Sequence, residues 1–101
     1  MSAVGNEALG RRALDQLQSV GLSTHLIATL DTHPTGTVHV QLNDAGQASY
    51  TIVENVAWDR IPCSPDLLAL APRADAVCFG SLVQPSPGSR DTLRQILAAT
   101  R

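Results

Sequence analysis

Few residues in this sequence are capable of chemistry, and their spacing narrows what each can do. Gly5-Asn6-Glu7-Ala8-Leu9-Gly10 sets two glycines ahead of an amphipathic run. A phosphate-cradling loop, however, needs Gly, four residues and then Gly-Lys-Ser/Thr, and Gly10 is followed by Arg11-Arg12. Gly5 reads instead as a tight exit from a strand, although only four residues precede it, too few to expect that strand. Gly10 reads as a close-packing position, since a mid-helix glycine costs about 1 kcal/mol against alanine unless something must approach its Cα. Ser81 or Cys78 beside one of the three histidines would be the ingredients of a nucleophile, but no Gly-x-Ser-x-Gly elbow occurs and Cys78 falls within a continuous apolar run. Cys63 and Cys78 form no Cys-x-x-Cys pair and read as small buried hydrophobes. His25, His33 and His39 lack the i, i+4 spacing of a helical metal site. Asp44 is ordinary turn chemistry, and Asp59 reads as a backbone cap near Arg60-Ile61-Pro62.

Two candidates for ligand contact survive. Asn55-Val56-Ala57-Trp58 puts an amide capable of paired hydrogen bonds beside small and aromatic surface, a composition that suits a polyol and equally suits a strand-to-loop exit. Trp58, the single tryptophan, is either a sugar-stacking surface or an anchor between elements, the more frequent role of a lone Trp. Gly80 closes an apolar run; ligands of open α/β sheets gather at the carboxyl ends of strands, and a glycine there lets them come close.

The elements that must position these residues follow from periodicity. Leu9, Ala13, Leu17 and Val20 form one helical stripe, with Asn6 as the expected cap and Gly21 as the left-handed stop. Leu26-Ile27-Ala28 is a short strand candidate before His33-Pro34. From Gly36 the period becomes two: Val38, Val40 and Leu42 face one way, Thr37, His39 and Gln41 the other. Asn43 to Gln47 supplies turn residues, and Ser49 to Val53 returns as the second strand of a β-hairpin. Ser64-Pro65 opens a short helix through Leu70 that Pro72 ends. Ala76-Val77-Cys78-Phe79-Gly80 reads as a strand buried on both faces. Ser86-Pro87 or Ser89 starts a last helix with Leu93, Ile96 and Leu97 on one stripe and Arg94 and Arg101 toward its C-terminal end. A strand apolar on both faces needs neighbours and two helical layers that so few elements do not supply, so the pattern is that of part of a sheet.

Composition bounds the rest. A chain of 101 residues with 44% hydrophobic and 16% charged residues builds one modest α/β domain. Seven scattered arginines, no lysine and nine acids give a net charge of −2, which argues against nucleic acid as a partner. No apolar stretch approaches the roughly 18 residues that cross a bilayer, and no leader pattern opens the chain, so neither membrane nor export is expected and the cytoplasm is.

The order of these motifs resembles the ribokinase-like (PfkB) carbohydrate kinases, and within them the bacterial fructokinase type. Val4-Gly5-Asn6-Glu7-Ala8-Leu9-Gly10 is similar to the end of that family's first signature, and Pro34-Thr35-Gly36-Thr37-Val38 to the start of its lid strands. Ser49-Tyr50-Thr51-Ile52 is similar to the returning lid strand, Asn55-Val56-Ala57-Trp58-Asp59 to the segment after it, and Ala76 to Leu82 to the next core strand. The resemblance implies an incomplete ribokinase-like α/β core over 1–101 with a β-hairpin lid at about 36–54. It also implies that Thr51, Asn55, Ala57 and Gly80 lie near a sugar, fructose or a related hexose, and that lid sheets pair between subunits. In that family an Asp in a Gly-Ala-Gly-Asp segment takes the proton of a sugar hydroxyl while ATP and Mg²⁺ present the γ-phosphate. This sequence contains neither a Gly-x-Gly-Asp nor the early Gly-Gly-x-x-x-Asn stretch. The expectation is therefore a piece of a sugar kinase that is inactive by itself, with no catalytic, ATP or metal residue in this chain. The alternative is a stand-alone non-catalytic module that uses the lid for binding or dimerisation.

Overall fold

In the computed structural model the described residues are 1–83 and 85–100, with Val83 described by its backbone alone; Arg101, expected at the end of the last helix, lies outside them. Strand β1 (Ser2–Gly5) runs into helix α1 (Ala8–Ser19), which crosses over to β2 (Ile27–Leu30). The two strands pair in parallel, Ser2 opposite Ile27 and Gly5 opposite Leu30. Ser2–Gly5 is thus a strand after all, because a parallel partner supplies the hydrogen bonds that so short a segment cannot make by itself. Thr29 and Ile27 belong to that partner, which extends the expected Leu26–Ala28 run to Leu30.

Helix α1 ends as its glycine requires. Gly21 takes φ 80°, its N–H donates to the Gln18 carbonyl at 2.9 Å, and the Leu22 N–H reaches back to Leu17 at 3.0 Å, the paired bonds of a Schellman stop. Its start differs from expectation: Glu7, not Asn6, holds the cap position, and the Asn6 amide donates instead to Asp31 Oδ1 at 2.7 Å. Gly10 is the buried residue of this helix, and a Cβ there would collide with the Gly5 carbonyl oxygen. The apolar stripe is only partly covered. Leu9 and Val20 are exposed and Ala13 and Leu17 half-buried, because a two-stranded sheet presents less apolar surface than the stripe.

Strands β3 (Val38–Leu42) and β4 (Ala48–Ile52) form the antiparallel hairpin, Val38 opposite Ile52 and His39 opposite Thr51. Asn43 closes its turn, its Oδ1 accepting the N–H groups of Ala45 and Gln47 at 3.0 and 2.8 Å, while Gly46 takes φ 76°. All ten strand residues are exposed.

A 3₁₀ turn over Ala57–Arg60 leads to α2 (Pro65–Leu70), which Ser64 caps by accepting the Leu67 N–H at 3.2 Å. Helix α3 (Pro87–Ala99) closes the described chain. The core has two parts: Ala3, Ala57 and Ile61 with Ala28 and Leu30, and Leu67, Ala71 and Ile96 with Leu26, Cys63 and Ala99. The expected buried strand at 76–80 is not one. The segment has no strand partner and is exposed throughout, Phe79 to 49% and Cys78 with it. β1 and β2 pair only with each other, and an extended segment without a neighbour cannot satisfy its backbone as a strand. Cys63 is half-buried against the second core cluster.

Candidate functional site

The principal concavity, about 640 Å³, opens where the hairpin meets the body. The cross-strand pair Val38 and Ile52 forms one wall and Leu82 with Pro85 another; Asn55, Trp58 and Arg60 supply the polar and aromatic surface. The reason these side chains converge is local. β4 delivers its last ladder contact when the Val53 N–H donates to Thr37 at 3.1 Å. Asn55 then turns the chain at φ 58°, a left-handed value that Asn tolerates better than most residues, and the 3₁₀ turn follows at once.

That turn is held from three sides. The Ala57 N–H donates to the Pro34 carbonyl at 2.8 Å. The Trp58 ring lies on Gly36, where any Cβ would overlap the indole, so the Pro-Thr-Gly segment needs glycine for a packing reason. From α3, three hydroxyls at i, i+3 and i+6 grip the same loop: Ser86 donates to Asp59 Oδ1 at 2.7 Å, Ser89 to the Trp58 carbonyl at 2.7 Å, and Thr92 to the Ile61 carbonyl at 2.6 Å. Ser89 also accepts the Ile61 N–H at 3.0 Å. Ser89 and Thr92 are buried polar groups, and each has its partner.

Of the four residues expected near a ligand, only Asn55 lines this concavity. Thr51 stands on the hairpin face opposite Ile52, paired with His39, because side chains alternate along a strand. Ala57 is 0% exposed, packed in the core with Ala3 and Ile61. Gly80 lies in the unpaired segment, with open space where a Cβ would be. Arg60, Val38, Ile52 and Leu82 were missed. Val38 and Ile52 carry a usable signal, since both belong to the apolar face at the base of the hairpin. Arg60 and Leu82 carry none, because loop geometry alone brings them in. The Arg60 guanidinium donates to Asn55 Oδ1 at 3.4 Å.

Chemically the concavity offers hydrogen-bonding groups and apolar walls. Both oxygens of Asp59 are engaged, Oδ2 by the Val56 N–H at 3.2 Å and Oδ1 by Ser86, so it caps backbone as expected, at Val56, and is not a free base. A second, smaller recess of about 300 Å³ lies at the carboxyl ends of β1 and β2, lined by Asn6, Glu7, Leu30, Asp31 and His33. The Thr35 N–H donates to Glu7 Oε1 at 3.1 Å, and Thr35 Oγ1 accepts the Gly5 N–H at 2.9 Å. Hydrogen bonds from the Thr35 side chain and backbone hold the Glu7 carboxyl below its ordinary 4.5, against a smaller opposing effect of desolvation. Glu7 and Asp31 thus set two carboxylates in the recess at the start of α1. Among the described residues no group of three or more His, Cys, Asp or Glu could hold a metal ion, and no helix is long and apolar enough to cross a membrane.

No protein-family model matches the sequence, and no curated protein does. Solved structures do. An uncharacterized sugar kinase from Pyrococcus horikoshii superposes with a TM-score of 0.82 at 26% identity, over 97% of this chain and 32% of the kinase. The same kinase in complex with ATP matches equally, at 27% identity. This chain has part of a ribokinase-like sugar-kinase fold. A fructokinase from Vibrio cholerae shares that fold, with a TM-score of 0.74 at 24% identity over 97% of this chain and 33% of its own. The chain spans about a third of the length of the sugar kinases it matches.

Proposed function

We propose that this chain is the lid-bearing portion of an ATP-dependent sugar kinase of the fructokinase type, which transfers the γ-phosphate of ATP to a hydroxyl of fructose or a related hexose. The observation that carries the reading is the match to a sugar kinase at a TM-score of 0.82 over 97% of the chain. In this proposal the hairpin is the lid, and the concavity at its base receives the sugar. Asn55 and Arg60 supply hydrogen bonds to hydroxyls, while Trp58, Val38 and Ile52 supply apolar walls. The open space at Gly80 leaves room for a ligand to approach. The catalytic Asp and the site for ATP and Mg²⁺ belong to sequence outside these residues, so the chain by itself does not phosphorylate sugar. Pairing of two hairpins between subunits is part of the same proposal, supported by a hairpin face whose apolar side chains are exposed among the described residues.

The test reads the coding frames on both sides of this sequence and assays the chain. A Gly-Gly-x-x-x-Asn stretch upstream and a Gly-x-Gly-Asp stretch downstream, with no ADP release from the 101-residue chain given fructose and ATP–Mg²⁺, support the reading. Flanking frames without either stretch, around a chain that sediments as a stable species and melts cooperatively, favour the stand-alone binding module instead.

A further inference from the structure

We propose that Asp59 is a positioning residue: its carboxylate, oriented by Ser86 of α3, holds the Asn55–Val56 peptide in the left-handed turn that presents Asn55 to the concavity. The inference rests on the reading of that concavity as a ligand site. It starts from a conflict along the chain. Asn55 is the only non-glycine residue at positive φ among the described residues, a conformation that asparagine bears at lower cost than most L-residues but still at a cost that its surroundings must offset. The hairpin ladder ends two residues earlier, at the Val53 N–H, and the core begins one residue later, at Val56, which is 2% exposed. The turn must therefore be made at residues 54 and 55.

One group is placed to enforce it. Asp59 Oδ2 accepts the Val56 N–H at 3.2 Å, the amide of the peptide whose orientation the left-handed residue sets. Without that acceptor the Val56 N–H, beside a buried side chain, would lack its bond and the peptide would have reason to rotate. The carboxylate has its own anchor, the Ser86 hydroxyl on Oδ1 at 2.7 Å, so its plane is fixed from the cap position just ahead of α3. Arg60 then meets Asn55 Oδ1 from inside the same turn. The result is a short relay from α3 through Asp59 to the backbone of Asn55, separate from the Ser89 and Thr92 bonds that fix the far side of the loop.

Trp58, the single tryptophan, sits within this loop and reports on it. Acrylamide quenching of its emission is measured for the whole chain as wild type, Asp59→Ala, Asp59→Ala with Asn55→Gly, and Ser86→Ala. Asp59→Ala is expected to raise the quenching constant about twofold as the loop loosens. Adding Asn55→Gly should return most of it, because glycine occupies the left-handed turn without the strain that the clamp must oppose. A role confined to joining α3 to the loop would not respond to residue 55. Quenching at the wild-type level in Asp59→Ala, or no recovery with Gly at 55, overturns the proposal. If Asp59→Ala fails to fold, Ser86→Ala, which removes one of the two bonds, decides: a rise of about one and a half-fold supports the relay and no rise overturns it. No sugar enters this series, so failure of the relay appears here, whereas failure of the kinase reading appears in the flanking frames.

Discussion

The hairpin and the loop at its base are made of adjacent residues, yet they are held in opposite ways. Every strand residue of β3 and β4 is exposed, including the apolar face of Val38, Val40, Leu42, Tyr50 and Ile52. Among the described elements, the strands pack extensively only against each other. The loop from Val56 to Ile61 is the reverse: its first two side chains and its last are buried, and three hydroxyls of α3 bind it. The hairpin thus depends on its own ladder and turn, and a two-stranded ribbon is marginal in water. The loop depends on tertiary contacts that only the folded body supplies. A cleft between them has one rigid wall and one compliant wall, an arrangement suited to closing over a ligand.

Substitutions can break or sharpen this contrast. The largest effect is expected on the buried face of α3: Leu93→Ala, at a side chain 3% exposed, should cost about 2–5 kcal/mol by urea unfolding, while Leu42→Ser on the hairpin stays within about 0.5 kcal/mol. Equal losses at the two positions would mean that the hairpin is packed in solution, as a lid paired with a second copy would be.

Next comes Ser89→Ala, which leaves the buried Ile61 N–H without an acceptor and should cost about 1–3 kcal/mol. Ser89→Thr, which keeps the hydroxyl, should recover part of that in thermal melts.

Gly46→Ala acts on the other wall. At φ 76° an alanine is strained by about 1–2 kcal/mol, and the loss should appear as faster amide exchange in 38–52 with protection of α3 unchanged.

The smallest effect is electrostatic. Glu7 titrates below its ordinary 4.5 in the folded chain, so its contribution is present above the unfolded value and is lost as pH falls through the lower folded value. Glu7→Gln should therefore lower the urea midpoint slightly at pH 7, and the difference should vanish once the pH is below both values, where the carboxyl is protonated in either state. A variant difference that persists in acid would assign the Thr35 contact to packing, not charge.

Where periodicity and local capping rules suffice, sequence and structure agree. The stop of α1 at Gly21, the hairpin with its Asn43 turn, the Ser64 cap with Pro65, and the start of α3 at Pro87 all follow from interactions within a few residues. The identity of Asn55 as a cleft residue was also legible, because an amide directly after a strand is a local fact. Partnership was not. Ser2–Gly5 is a strand only because Ile27–Leu30 lies beside it, and Ala76–Gly80 is not one because nothing does. The same holds at the site, where Ala57 turned inward, Thr51 fell on the far face, and Arg60 and Leu82 arrived from loops. Composition and spacing along the chain decide what each segment can become. Which faces are buried, and which backbone groups find a partner, depends on residues distant in sequence, and those the tertiary structure alone brings together.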